Sequence, residues 1–305
     1  MWAPAANAQG APAAKAPEPR SSTDAGMYLT ALAVADLDRS LEFYTEVLGL
    51  RFDRRMEKPE RSTVLLRSAD PSAADAALAL TWLKGGQAPA PAGDAFFRLT
   101  IRGDADAAIA RAKAGGYTVD REPYVSTVTG SKLGFIKDPD GYSIEIIGPK
   151  EGYSDPSQIR GTKLNVTDLE RSLEFYATTM GLKEIRRHTF ADLPNLAGVV
   201  LRPDEKRPVL DGGPAFIEVI LGSDAEGQGQ SLILTWRKMR EGPYEIGGFA
   251  AIGLRTPDAA GLARRIKDAG FKVVREPAAG STGGVVTALA ADPDGYTVEI
   301  IEIAR

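Results

Sequence analysis

Two glutamates occupy matching places in the chain and are the residues best suited to chemistry. Glu145 follows the run Asp138-Pro139-Asp140-Gly141-Tyr142, and Glu299 follows Asp292-Pro293-Asp294-Gly295-Tyr296. Strand alternation after each run puts the glutamate on the face opposite the neighbouring isoleucines. A carboxyl group that faces an apolar cavity has a raised pKa and can act as a general base or donate a hydrogen bond to a ligand.

The alternative for each glutamate is an ion pair with a cation on a neighbouring strand, and Arg98 and Arg255 are the candidates. His188 is the one histidine of the chain, so it cannot supply a metal site built from several imidazoles. It is either a partly exposed strand-end residue or a lid residue that reaches a ligand together with Glu218. The chain has no cysteine, which excludes disulfides and thiolate chemistry and leaves the redox compartment open.

Composition limits the kinds of partner. The formal net charge is −4, and the charged residues are intermixed without a basic stripe, which argues against nucleic acid and anionic membrane surfaces. No apolar run approaches the roughly 20 residues that span a bilayer. A small-molecule ligand or substrate is therefore the expected partner.

An internal repeat organises the chain. The run Asp36–Tyr44 returns at Asp168–Tyr176, an offset of 168 − 36 = 132, whereas the Asp-Pro-Asp-Gly-Tyr runs are offset by 292 − 138 = 154. The difference, 154 − 132 = 22, places an insertion of 22 residues in the second copy. Turn signals in Phe190 to Gln230 indicate an elaborated loop or lid around 190–230.

Within each copy, helical and strand periods alternate. A strand over Tyr28 to Val34 precedes a helix that begins at the N-cap Asp36 and ends at Gly49. A second strand, Phe96 to Ile101, precedes a helix capped by Asp104, and a hairpin closes the copy. Alternation also predicts that Trp82 and Trp236 pack in the core rather than against a ligand.

The helix run Asp-Leu-Asp/Glu-Arg-Ser-Leu-Glu-Phe-Tyr, followed about 100 residues later by Asp-Pro-Asp-Gly-Tyr-x-x-Glu, resembles the vicinal oxygen chelate superfamily, glyoxalase I in particular. The resemblance implies an α+β fold of tandem glyoxalase-like domains, each made of paired βαβββ modules that form curved mixed sheets around a concave site. It also implies a monomer with an intrachain pseudo-dimer, or a homodimer.

The family holds a divalent metal with four side chains, and the resemblance puts most of these positions on apolar residues. The first ligand falls on Leu29 and Gly161, the second on Ala79 and Ile233, the third on Phe96 and Ala251, and only the fourth keeps a ligand, as Glu145 and Glu299. No cofactor is therefore expected, and a divalent metal remains a lesser alternative, with Glu145 and Glu299 as its ligands.

Pairing of the copies would combine first-module residues of one with second-module residues of the other. One site would then contain Leu29, Ala79, Ala251 and Glu299, and the other Gly161, Ile233, Phe96 and Glu145. The candidate ligand-binding residues are Leu29, Ala79, Thr81, Phe96, Arg98, Gly161, Lys163, Ile233, Thr235, Ala251, Arg255 and His188.

The expected organisation is an Ala- and Pro-rich disordered leader at 1–26, a domain at 27–149, a linker at 150–159 and a domain at 160–305. A cytoplasmic protein is expected, or an exported one if Ala6-Asn7-Ala8 ends an export signal. The function favoured by these residues is binding of a small molecule without the usual metal. The alternative is a glyoxalase-I-like lyase (lactoylglutathione lyase), or another isomerase or dioxygenase of the family, that uses Glu145 or Glu299.

Overall fold

The computed structural model describes residues 25–73, 75–85, 93–126, 129–151, 156–190, 216–223, 229–238, 242–280 and 284–303. These residues form two mixed eight-stranded sheets with a small number of helices, the α+β class predicted from the sequence. No helix in these ranges is long and apolar enough to cross a membrane. The predicted leader, the centre of the insertion and most of the linker lie outside the described residues.

The first sheet joins the opening strands of copy one to the closing strands of copy two, in the order β14-β15-β16-β13-β1-β4-β3-β2. Its strands are β1 (Gly26–Ala33), β2 (Arg51–Glu57), β3 (Arg61–Arg67), β4 (Ala77–Leu83), β13 (Phe249–Arg255), β14 (Lys272–Ala279), β15 (Val285–Ala291) and β16 (Thr297–Ile303).

The second sheet has the complementary composition, in the order β10-β11-β12-β9-β5-β8-β7-β6. Its strands are β5 (Phe96–Arg102), β6 (Val119–Val125), β7 (Lys132–Lys137), β8 (Ser143–Gly148), β9 (Gln158–Asn165), β10 (Lys183–Phe190), β11 (Phe216–Gly222) and β12 (Ser231–Arg237). The predicted pairing of modules across the two copies is therefore confirmed.

The helices begin and end where the capping residues predict. α1 (Leu37–Glu42) starts at Asp36, whose side chain accepts hydrogen bonds from two backbone N–H groups, and it continues as a π-helical turn (Phe43–Val47). Gly49 then takes a φ of 69°, a conformation that favours glycine. The other helices are α2 (Ala105–Ala114), α3 (Leu169–Leu173), which continues as a π-helical turn (Glu174–Thr179), and α4 (Ala259–Asp268), and a short 3₁₀ turn spans Pro71–Ala73.

The two motifs of the repeat contact each other. Tyr44 donates a hydrogen bond to Asp138 at 2.9 Å, and Tyr176 donates one to Asp292, also at 2.9 Å. Burial raises the pKa of Asp138 to about 6 and that of Asp292 to about 7. Each Asp-Pro-Asp-Gly-Tyr run therefore closes a hairpin in one sheet and fastens it to a helix beside the other sheet.

One continuous hydrophobic core lies between the sheets and the helices. The hydroxyl groups of Thr30 and Thr162, equivalent residues of the two copies, are hydrogen-bonded to each other inside it. Trp82 and Trp236 pack against this core, as the alternation predicted. The close contact between equivalent residues indicates that an approximate twofold relation runs between the sheets at this point.

The insertion is located between β10 and β11. Three residues, 58–60, connect the equivalent strands β2 and β3, whereas 25 residues, 191–215, connect β10 and β11, a difference of 25 − 3 = 22. This agrees with the insertion length obtained from the two repeat offsets. Whether the segment acts as a lid remains a prediction, because residues 191–215 lie outside the described ranges.

Candidate functional sites on the two sheets

Each sheet turns one face toward the helices and the other away from them. On β16, Val298 and Ile300 belong to the main core, whereas Glu299 points to the opposite face. On β8, Ile144 and Ile146 are in the core and Glu145 faces away. The predicted alternation around the two glutamates is thus confirmed, and each helix-free face carries one of them.

The face of the first sheet, here called the apolar site, is lined by small and branched hydrophobic residues. A separate hydrophobic cluster covers it, consisting of Tyr28, Leu29, Leu65, Ala77, Ala79 and Ile301, with Ala31 and Val285 packed alongside. Leu29 lies opposite Gly253, which in turn lies opposite Glu299. The carboxyl group of Glu299 is therefore the polar group at the centre of a hydrophobic surface.

The electrostatics of Glu299 follow from this setting. The residue is half-buried, and burial raises its pKa, with weak opposing effects from Arg275, Arg61 and Lys58. None of these cations forms an ion pair with Glu299 in the described part of the chain. Glu299 thus behaves as predicted for a carboxyl group that faces an apolar cavity.

The face of the second sheet, here called the charged site, is different. The Lys163 ammonium lies 3.0 Å from Glu145 and 3.1 Å from Glu218, and all three side chains are at most 15% exposed. Thr100 donates a further hydrogen bond to Glu145 at 3.0 Å. Lys163 therefore bridges two carboxylates at the place where the apolar site has Ala31, its equivalent in copy one (163 − 132 = 31).

These contacts reverse the titration expected for Glu145. Burial alone would raise its pKa, but Lys163 and Arg98 outweigh burial and hold the pKa below its usual value. The same two carboxylates raise the pKa of Lys163 despite its burial. Glu145 is thus an ion-paired carboxylate rather than a raised-pKa base, and the bridging cation is Lys163 rather than the expected Arg98 or Arg255.

One predicted site residue lies on the wrong face. Phe96 is buried in the main core, stacked on Phe249 at 5.4 Å between ring centroids. A register shift between Phe96 and Arg98 changes the alternation, so the two residues do not share a face. Because Thr100 lies opposite Glu145 and Gly253 opposite Glu299, Arg98 is the structural equivalent of Ala251 and occupies the third family ligand position.

Arg98 itself is buried and held by its neighbours. Its guanidinium lies 4.4 Å from the ring centroids of both Phe97 and Phe135, and its Nε donates to Ser143 at 3.3 Å. Burial lowers its pKa from the usual value. The side chain thus adds a second cation to the charged site beside Lys163.

The remaining predicted residues divide between the two sites. In the apolar site, Thr81 shares a hydrogen bond of 3.0 Å with Thr63, and Arg255 lies at the end of the face near Tyr28. In the charged site, His188 lies opposite Glu218 and Thr235 lies beside it.

Both of these charged-site residues are wholly or partly buried. Burial lowers the pKa of His188, so the imidazole is largely neutral at pH 7. Thr235 is fully buried, and its hydroxyl has no hydrogen-bond partner among the described residues.

The donors in these sites do not fit a metal ion of the family type. The apolar site offers one carboxylate among Leu29, Ala79 and Ala251, although a hard divalent cation needs about six oxygens and zinc about four ligands. In the charged site, an ammonium already occupies the space beside Glu145. The described residues contain no group of three or more His, Cys, Asp or Glu side chains that could hold a metal.

Sequence reasoning missed several residues that shape the sites. Tyr28 and Arg67 went unnoticed because strand alternation assigns Tyr28 to the core, whereas a bulge in β1 turns its ring to the helix-free face. The bridging role of Lys163 could have been found by comparing positions 132 residues apart, because that offset pairs Lys163 with an alanine. Thr100 could have been found in the same way from the one-residue difference before α2 and α4.

Comparisons with known proteins agree with this architecture. The family model described as Glyoxalase/Bleomycin resistance protein/Dioxygenase superfamily matches residues 27–146 and 158–300. A lactoylglutathione lyase of Arabidopsis thaliana is 29% identical over 280 residues, covering 88% of each chain. A probable lactoylglutathione lyase of Vibrio cholerae is 35% identical over 127 residues, 41% of this chain and 91% of that protein.

A solved structure supports the same conclusion. Glyoxalase I from Zea mays superimposes with a TM-score of 0.74 at 25% identity, covering 92% of both chains. The family model accounts for most of the chain in two tandem matches, which coincide with the two copies of the repeat. The chain therefore belongs to the glyoxalase, bleomycin resistance protein and dioxygenase superfamily.

Proposed function

We propose that this chain binds a small, partly apolar organic molecule at the apolar site and does so without a metal ion. The observation that carries the proposal is the residue set at the four family ligand positions, which is Leu29, Ala79, Ala251 and Glu299. Hydrophobic side chains supply most of the surface, and one carboxyl group supplies direction, which is the usual composition of a small-molecule site.

The charged site is less suited to this role. Lys163, Glu145 and Glu218 already satisfy one another, and an incoming ligand would have to displace these buried ion pairs. Breaking a buried pair costs several kcal/mol because it leaves an uncompensated charge. We therefore assign ligand binding to the apolar site and a structural role to the charged site.

Glu299 is the expected polar contact for the ligand. Its raised pKa keeps it protonated to a higher pH than an exposed glutamate, so it can donate a hydrogen bond as well as accept one. A single such bond contributes about 1 kcal/mol to binding. Hydrophobic contact then supplies most of the affinity.

The second candidate is a lyase of the lactoylglutathione lyase type, favoured by relatives with that name along most of the chain. In such an enzyme Glu299 would be the better general base, because its pKa is raised toward the working pH. Glu145 is a poorer base, since Lys163 stabilises its ionised form.

Metal content and turnover separate the two candidates. The untagged protein is measured by plasma mass spectrometry before and after chelation and after incubation with Zn²⁺, Ni²⁺, Mn²⁺ or Fe²⁺, with thermal unfolding and lactoylglutathione turnover followed in parallel. Metal-independent binding predicts no stoichiometric metal, no metal-induced rise in Tm and no turnover. Near-stoichiometric metal with a raised Tm would overturn it.

Two variants sharpen the result. Glu299→Gln should abolish turnover in a lyase, but should leave ligand affinity within about tenfold in a binding protein, where it removes one hydrogen bond. Glu145→Gln is the matched change on the other sheet. It should leave ligand affinity at the apolar site unchanged.

A further inference from the structure

Two arginines converge on one tyrosine at the end of the apolar site. The guanidinium carbon of Arg255 lies 4.3 Å from the centre of the Tyr28 ring, and that of Arg67 lies 5.3 Å from it. Arg67 also donates a hydrogen bond to the Tyr28 hydroxyl at 3.0 Å. Tyr28 packs with Leu29 and Ile301, so this cluster is continuous with the hydrophobic surface of the site.

The two positive charges are unequally compensated. Arg67 is 11% exposed, and its Nε forms an ion pair of 3.0 Å with Asp53. Arg255 reaches only Asp75, at 3.7 Å, and the Asp75 side chain is 92% exposed. An ion pair of that kind is screened by water and salt and contributes little. The end of the site therefore has an excess of positive charge at Arg255.

One donor of Arg255 points to an absent partner. Its Nε atom is buried and has no hydrogen-bond partner among the described residues. Buried polar atoms are nearly always hydrogen-bonded, because an unsatisfied one costs about 1–3 kcal/mol in general. The arrangement is costly in the free protein and becomes favourable when an acceptor approaches.

The geometry relates the arginines to the hydrophobic surface. Arg255 lies beside Ile301 in the sheet, and Arg67 lies opposite Ala77, both of which line the apolar site. Glu299 is two residues before Ile301, a separation of about 7 Å along a strand. A molecule with an anionic end and a short apolar body would contact the arginines, the hydrophobic cluster and Glu299 at once.

We infer that Arg255 and Arg67 bind the anionic group of the ligand, a carboxylate or a phosphate, while its apolar part lies on Leu29, Ala79 and Ile301. This inference rests on the proposed function and names the class of ligand for the same site. Guanidinium groups suit this role because their planar donors match two oxygens of a carboxylate or phosphate.

The test compares an acid with its matched alcohol. Binding of 4-phenylbutyrate and of 4-phenylbutanol to the full chain is measured by isothermal titration calorimetry at low and high salt. We expect the acid to bind at least about tenfold more tightly than the alcohol, and this advantage to shrink as salt is raised. Inorganic phosphate should compete with the acid but not with the alcohol.

Variants then locate the effect. Arg255→Gln should remove the advantage of the acid and leave alcohol affinity unchanged, and Arg255→Lys should retain part of it. The matched control is Arg102→Gln, because Arg102 is the structural equivalent of Arg255 on the second sheet (255 − 153 = 102) and is exposed. Unfolding temperatures without ligand confirm that each variant is folded.

The outcomes distinguish the inference from the function on which it rests. Equal affinities for acid and alcohol, or an acid advantage that survives Arg255→Gln, would overturn the anion assignment and leave the apolar site as a ligand site. Binding of neither probe would overturn both. An acid advantage lost in Arg255→Gln and kept in Arg102→Gln supports the inference.

Discussion

The two sheets have the same strand order and the same pair of interlocking motifs, yet their helix-free faces have diverged. One face has Ala31 and Thr63 where the other has Lys163 and Glu218, and the surviving glutamate is unpaired on the first and ion-paired on the second. The backbone is shared, so this difference comes from a few side chains. It shows that the scaffold and the site are specified by separate sets of residues.

The largest expected effect comes from removing the bridging cation. Lys163→Met should lower the free energy of unfolding by about 3–5 kcal/mol, because Glu145 and Glu218 would be left buried and facing each other. Chemical denaturation at pH 7.5 measures this change. The control is Lys137→Met, which alters an exposed lysine on the same sheet. A loss below 1 kcal/mol for Lys163→Met would show that the charged site does not depend on its ion pairs.

The second prediction tests what the two halves share. Asp292 has a folded pKa of about 7, above the ordinary value of 3.8, so its protonation favours the folded state. This stabilisation is fully present at low pH and is lost as the pH rises through about 7. Between pH 5 and pH 8 the wild-type protein should lose about 2–3 kcal/mol that Asp292→Asn does not lose.

Asp138→Asn is the matched change in copy one. Because the pKa of Asp138 is about 6, its effect should be smaller and should end at a lower pH. Denaturant unfolding across this pH range measures both variants. Identical pH profiles for the wild type and both variants would contradict the pKa assignments.

A third prediction converts one site toward the other. Ala31→Lys places an ammonium at the position equivalent to Lys163, where it can approach Glu299. The pKa of Glu299 should then fall from its raised value, which ¹³C NMR of labelled glutamate can follow. We expect a change in unfolding free energy of only about 1 kcal/mol, since Thr63 replaces the second carboxylate. An unchanged Glu299 titration would show that the two faces are not equivalent in geometry.

The smallest effect is expected for His188. It lies beside Glu218, and burial lowers its pKa, so it is neutral at pH 7.5. His188→Gln should therefore change the unfolding free energy by less than about 0.5 kcal/mol at that pH. A larger loss at pH 7.5 would indicate that His188 helps to hold the charged site together.

The fold was predictable because its determinants are local and occur twice. Asp36, Asp104 and the Asp-Pro-Asp-Gly-Tyr runs mark helix starts and turns, and the two offsets located the insertion. The contact between Tyr44 and Asp138 was not predicted, since the run was interpreted only as a turn. Nothing in the spacing reveals that its first aspartate is buried against a helix.

The site was only partly predictable, because it depends on register. Strand alternation placed Glu145 and Glu299 correctly, but it failed at Phe96 and Tyr28, where irregular pairing changes the alternation. Ion pairs across strands also depend on which residues lie opposite one another. The partner of Glu145 was therefore out of reach, although Lys163 was among the candidates.

The exchange of modules between the copies has a consequence for biosynthesis. Strand β1 pairs with β13, so Leu29 must wait for Gly253 to leave the ribosome before its sheet can close. Contacts of such long sequence separation slow folding and leave strand edges exposed in the meantime. The nascent first copy is therefore a half-built pair of sheets rather than a finished domain, and it depends on chaperones or on rapid synthesis of the second copy to avoid aggregation.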